Sequence, residues 1–203
     1  MKICSFHYPE HRSVDPVLIN RFIKAFPLAL IVSKCNDQYF SSYIPLLCRE
    51  ESLLFGHADR RNLQFSQQSL VAQVFFIGPN SYIPPEGYCT RQLPTWNYLA
   101  VHMQARIDVI QDDQQVLDIL RQSADAFSGR ESVFCADPED SRVMKNLENI
   151  VAFQVVPSQV EARFKLSQDK SPVDRQSALN WFLNRDLEPH RELFQDLLHH
   201  RST

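Results

Sequence analysis

From Leu99 to Ile110 the chain alternates with a period of two. Leu99, Val101, Met103, Ala105, Ile107 and Val109 take the odd positions, and His102, Gln104, Arg106 and Asp108 fall between them. Successive strand side chains point to opposite faces, so the pattern predicts one long β-strand with an apolar face and a polar row. A helix would scatter the same residues around its circumference. Just upstream, Pro94, Trp96, Asn97 and Tyr98 place a rigid backbone, two amphipathic rings and an amide at the strand's mouth. Periodicity alone reads the rings as closing the end of a β core. The same residue types also suit the wall of a planar-ligand site.

The rest of the chain supplies partners for this strand. Leu28 to Val32 is a continuous apolar run, expected of a strand buried on both faces. Tyr39 to Cys48 and Leu53 to His57 continue as strands, joined through Cys35-Asn36-Asp37-Gln38 and Arg49-Glu50-Glu51. Asp59 to Asn62 starts a short polar helical segment. Leu70 to Ile77 is a further strand, closed by a turn at Gly78-Pro79-Asn80. Ile150 to Val156 and Val160 to Ser167 follow late in the chain, the second alternating Glu161, Arg163 and Lys165 with apolar residues. Helices are expected after Asp15-Pro16, after Asp112-Asp113 with Val116, Leu120, Ala124 and Phe127 as a stripe and Gly129 just past its end, after Asp137-Pro138, from Ser171-Pro172 to Leu183, and after Glu188-Pro189. Strands and helices alternate too rarely for a doubly wound sheet. The expected architecture is mainly β with α: a small antiparallel barrel, residues 1–168, flanked by helices, with residues 169–203 as a helical extension.

Several chemistries are excluded. The four glycines of the 203 residues form no Gly-x-Gly-x-x-Gly or Gly-x-x-x-x-Gly-Lys pattern, so any phosphate has to be held by side chains. His7 to His11 spells His-x-x-Glu-His, but Pro9 breaks the helix that zinc binding would need; no metal site is expected. There is no Gly-x-Ser-x-Gly elbow. A net charge of -3 gives no global field for nucleic acid or anionic membranes. Five cysteines with no Cys-x-x-Cys, no secretory leader and no bilayer-length apolar run lead us to expect a reduced, cytoplasmic compartment.

Motifs in this order resemble the PaiB-like family of the FMN-binding split-barrel superfamily. They are Gly56-His57 with Arg60, Asn62 and Gln64; Gly78-Pro79 through Tyr82 and Pro85 to Tyr88; Pro94-Thr95-Trp96-Asn97-Tyr98 with Val101-His102; and Lys165-Leu166-Ser167-Gln168. The resemblance runs from Pro27 to about Arg175 and implies a six-stranded split barrel, a homodimer, and FMN or a similar planar anionic molecule as partner. Carried over by position, Arg60 and Asn62, with the neighbouring Arg61, meet the phosphate beside His57. Trp96, Asn97, Tyr98 and His102 border the ring, and Lys165, Ser167 and Gln168 approach from the late strand. The sequence departs from the family at Leu63, where proline is frequent, at Tyr43, where histidine is usual, and at Gly87, where tryptophan is common.

The resemblance implies a transcriptional regulator acting as a dimeric ligand-binding module. Against direct DNA contact, residues 169–203 carry five basic residues and six acidic ones. The alternative is a flavin-dependent oxidoreductase, of FMN-reductase or pyridoxamine-phosphate-oxidase type, in which the cofactor does the redox chemistry. Haem binding through His57 or His102 is a more distant reading.

Overall fold

A computed structural model describes residues 8–49, 53–128, 137, 139–184 and 191–199. Six strands carry the sheet: β2 (Leu28–Cys35), β3 (Gln38–Pro45), β5 (Leu54–Asp59), β6 (Ser69–Ile83), β7 (Thr95–Ile110) and β8 (Ile150–Lys165). Two-residue strands β1 (Arg12–Ser13) and β4 (Leu47–Cys48) complete it. The strand order is β3-β2-β6-β7-β8-β5-β4, with β1 on β8, and every registered pair is antiparallel. Helices are α1 (Pro16–Ala25), α2 (Asp113–Phe127), α3 (Ser141–Leu147), α4 (Pro172–Leu183) and α5 (Arg191–His199). The chain divides into two compact units, one of residues 1–26, 77–102 and 160–203, the other of residues 27–76 and 103–159.

In the second unit, β2 and β3 are joined by Asn36 and Asp37, both at positive φ (46° and 64°). This is the two-residue hairpin whose twist matches the strands, and Asn and Asp tolerate it best after glycine. β2 alternates instead of being covered on both faces: Ala29, Ile31 and Ser33 are buried while Leu28 is exposed. The inward face of the unit packs Phe65 on Phe153, stacked with centroids 4.4 Å apart. Gly56 is required here, because a Cβ would meet Leu46 at 2.7 Å and the Phe153 ring at 2.8 Å. On the other side of β5 and β8, Val116, Leu117 and Ile119 of α2 and Leu147 of α3 cover Phe55 and Ala152.

In the first unit, Asp15 caps α1 by accepting from Val17 N at 2.8 Å, and Pro16 occupies the first turn. α1 buries Phe22 and Ile23 completely. The turn expected at Gly78-Pro79-Asn80 is absent: β6 runs on to Ile83. Gly78 serves a close approach instead, since a Cβ there would meet the Phe22 ring at 2.6 Å. Ser171 caps α4, and the Asp174 carboxylate in its first turn accepts from Thr90 N, Thr90 Oγ1, Gln92 Nε2 and Ser171 Oγ.

Other boundaries shift for local reasons. Val156 to Val160 does not interrupt the late strand, so the two expected strands are the single β8. α3 is capped by Asp140, not Asp137. Arg60 and Arg61 form a turn, and the helical segment is the 3₁₀ turn Leu63–Phe65, capped by the Asn62 side chain. Gly129, Pro138 and Glu188-Pro189 lie outside the described residues.

Candidate functional site

The nominated residues fall into two groups, one in each unit. In the second unit, β5 presents His57 and ends at Asp59, where the chain turns. Arg60 directs Nε to Glu148 O and Nη2 to Ile150 O, both at 2.8 Å, and its backbone N–H donates to Asn149 O. Its guanidinium thereby fastens the entry to β8. Arg61 is chelated by Asp59 at 3.0 and 2.6 Å, which holds the Asp59 carboxyl down at about 2. Asn62 Nδ2 donates to Ser42 Oγ at 2.9 Å while its Oδ1 caps the 3₁₀ turn.

His57 is different. Its Nδ1 is buried and has no hydrogen-bond partner among the described residues, and burial pushes its pKa below the ordinary 6.5. A buried imidazole nitrogen without a partner is costly, and the neutral form reduces that cost. His57 lines a cleft of about 560 Å³, within the range of small-molecule sites. Leu120, Ala124 and Phe127 of α2 and Val143 and Ile150 form its apolar walls; Ser123, Ser128, Asn146, Asp140 and Arg142 supply its polar groups. The α2 and α3 residues were not nominated from sequence, because a helical stripe such as Val116, Leu120, Ala124 and Phe127 reads as core. One end of that stripe departs from core behaviour: Phe127 is 41% exposed.

In the first unit, the two family motifs meet. Asn97 Nδ2 donates to Ser167 Oγ at 3.1 Å, and Tyr88 Oη lies 3.1 Å from the same hydroxyl. Asn97 and Ser167 are buried, and Ser167 sits at a φ of 62°. Gln168 Oε1 accepts from Leu166 N at 2.7 Å and lies 3.0 Å from His11 Nδ1. Lys165 Nζ donates to Thr95 Oγ1 at 2.7 Å. His102 interacts electrostatically with Arg163 and Glu161, and burial is the main cause lowering its pKa. The polar groups of β7 and β8 are thus coupled within this unit. Trp96 is 53% exposed, donates to Asn80 Oδ1 at 3.2 Å, and packs near Tyr82; Tyr98 is half-buried.

A flavin needs an apolar slot for its ring, a polar group for the ring's edge and a cation for its phosphate. Within one unit, the His57 cleft supplies apolar walls, a buried nitrogen without a partner among the described residues, and an arginine, so its donor set fits. Among the described residues no cluster of three or more metal-ligating side chains occurs, and no helix is long and apolar enough to cross a membrane.

Comparison with known proteins bears on the fold and the family. A family profile described as "Putative FMN-binding domain" matches residues 6–159. The Bacillus subtilis protein named protease synthase and sporulation protein PAI 2 is 25% identical over 133 residues, which is 65% of this chain and 63% of that protein. An uncharacterised protein of Emericella nidulans is 22% identical over 86% of this chain and 88% of its own length. The structure of an FAD and haem binding protein from Mycobacterium smegmatis superposes with a TM-score of 0.63 at 15% identity, covering 85% of this chain and 80% of that one. The flavocytochrome Anf3 of Azotobacter vinelandii gives 0.58 at 16% identity, covering 76% and 69%. At these identities the structural matches establish the fold: an antiparallel β core flanked by helices.

Proposed function

The chain belongs to the PaiB-like family of FMN-binding split-barrel proteins, and from that premise we propose that it binds a flavin in the His57 cleft and serves flavin-dependent oxidoreduction. The observation that carries this reading is the buried Nδ1 of His57, without a hydrogen-bond partner among the described residues, at a cleft of about 560 Å³ walled by Leu120, Ala124, Phe127, Val143 and Ile150. A bound flavin would supply the redox chemistry. The protein's own residues position and shield it. The apolar residues of α2 would take the ring out of water, and the neutral imidazole of His57 would offer it a hydrogen bond.

The flavin and haem binders that share the fold support a redox role over direct regulation of transcription. So does charge: a tail with more acidic than basic residues is a poor electrostatic match for duplex DNA. The homodimer implied by the family resemblance belongs to the same reading and is checked by light scattering.

The test is a fluorescence titration of the full chain with FMN and FAD. Saturable quenching, weakened about tenfold or more by His57→Ala without loss of the folded state, supports the reading. A Soret band on haem addition with no flavin binding would replace flavin by haem. Binding of neither would end it.

A further inference from the structure

Arg142 is the one arginine or lysine among the described residues lining the His57 cleft, and no sequence motif points to it. It stands in the first turn of α3, with its side chain 85% exposed. Its guanidinium rests on Asp140, with Nε 3.1 Å from Oδ1 and Nη2 2.6 Å from Oδ2. Asp140 has a second task that does not need this ion pair: it caps α3 by accepting from Arg142 N at 2.8 Å. The carboxylate therefore has a reason to stay where it is, whereas among the described residues the guanidinium is held only by an exposed pair, which solvent screens.

The other nearby arginines are differently placed. Arg60 is fixed to two backbone carbonyls at the start of β8, and Arg61 is chelated by Asp59; neither lines the cleft. The remaining polar lining is uncharged apart from Asp140, so an anionic ligand group finds its countercharge at Arg142 alone among the described lining residues. Ser123, Ser128 and Asn146 offer hydroxyl and amide groups on the same cleft.

Resting on the flavin reading, we propose that Arg142 is the anion-recognising residue of this cleft. Its guanidinium exchanges the Asp140 carboxylate for the phosphate of the bound molecule, while Asp140 keeps its cap. The site then selects planar rings that carry a phosphate or phosphodiester tail over the same ring without one. A guanidinium fork suits this exchange, because carboxylate and phosphate oxygens present the same bidentate geometry.

The experiment is a matched titration of the full chain with riboflavin, FMN and FAD. In Arg142→Gln, FMN and FAD binding weaken about tenfold and riboflavin binding stays within about twofold; Arg142→Lys recovers part of the loss. Asp140→Asn retains a capping oxygen but frees the guanidinium, and FMN binds severalfold tighter. Equal weakening of all three flavins in Arg142→Gln, or no change in FMN binding, overturns the proposal. If the wild type binds no flavin, the flavin reading fails separately. The residue is then read with 1-anilinonaphthalene-8-sulfonate against its uncharged parent N-phenyl-1-naphthylamine: loss of the anionic dye alone in Arg142→Gln supports the assignment, and any other pattern rejects it.

Discussion

Asn97 Nδ2 donates to Ser167 Oγ at 3.1 Å, joining residues 70 positions apart at a point where both side chains are out of solvent. The two most recognisable motifs of the sequence, Pro-Thr-Trp-Asn-Tyr and Lys-Leu-Ser-Gln, thus contact each other, with Tyr88 Oη as a third member. Burial makes each group dependent on the others, because a polar atom left alone there has no water to turn to. Asn97→Ala and Ser167→Ala each destabilise the protein by about 1–3 kcal/mol in urea unfolding. The double variant loses less than the sum, since the shared bond is lost once. Losses below about 0.5 kcal/mol in both single variants would contradict this.

Acid weakens the protein partly through His57. Burial lowers its pKa in the folded chain, so the unfolded chain binds the proton more readily. The stability it contributes is complete above the ordinary value of 6.5 and declines as pH falls through 6.5 towards the lower folded value. His11 and His102 are lowered for the same first reason and add the same sign. His57→Gln therefore flattens, without abolishing, the fall in unfolding free energy between about pH 7.5 and 5. A variant with the wild-type slope would show that His57 has the same pKa folded and unfolded.

Gly56 precedes His57, and its missing side chain sets how closely β5 approaches Leu46 and Phe153. Gly56→Ala forces a methyl to within 3 Å of both and costs about 1–3 kcal/mol, measured by denaturant midpoint. Unchanged stability would mean that Leu46 and the Phe153 ring give way freely.

The start of α4 rests on Ser171 and Asp174. Ser171→Ala removes the cap to Asp174 N and costs about 1 kcal/mol. Asp174→Ala lowers the melting temperature further, because Thr90 N, Thr90 Oγ1 and Gln92 Nε2 all lose their acceptor. These bonds hold the carboxyl at about 2, so their contribution is full above the ordinary 3.8 and declines as pH falls from there through about 2. The reverse order of melting temperatures would contradict the assignment.

Much of the fold was legible because period-two alternation leaves little choice. The stretch Leu99 to Ile110 lies within β7, and the Asp15-Pro16 and Ser171-Pro172 starts are where α1 and α4 begin. Errors arose where a local signal served a nonlocal purpose. Gly78-Pro79-Asn80 has turn chemistry, yet Gly78 admits the Phe22 ring and β6 continues. Ile150 to Val156 and Val160 to Ser167 read as two strands, yet β8 runs unbroken from Ile150 to Lys165. The site was less legible than the fold. Motif matching nominates Arg60, but only coordinates show its guanidinium on two carbonyls. It gives no hint of Arg142, whose place on the His57 cleft depends on how α2 and α3 lie over β5 and β8.

The central claim, that the His57 cleft holds the ligand, is tested most directly by filling it. Ala124 lines the cleft from α2, and Ala124→Trp places an indole in the space the ring would take. Titrated with FMN, the wild type is predicted to saturate at about one flavin per chain, and the variant to lose at least about tenfold in affinity with its melting temperature preserved. FMN binding unaltered in the filled variant, or absent from the wild type, would contradict the account.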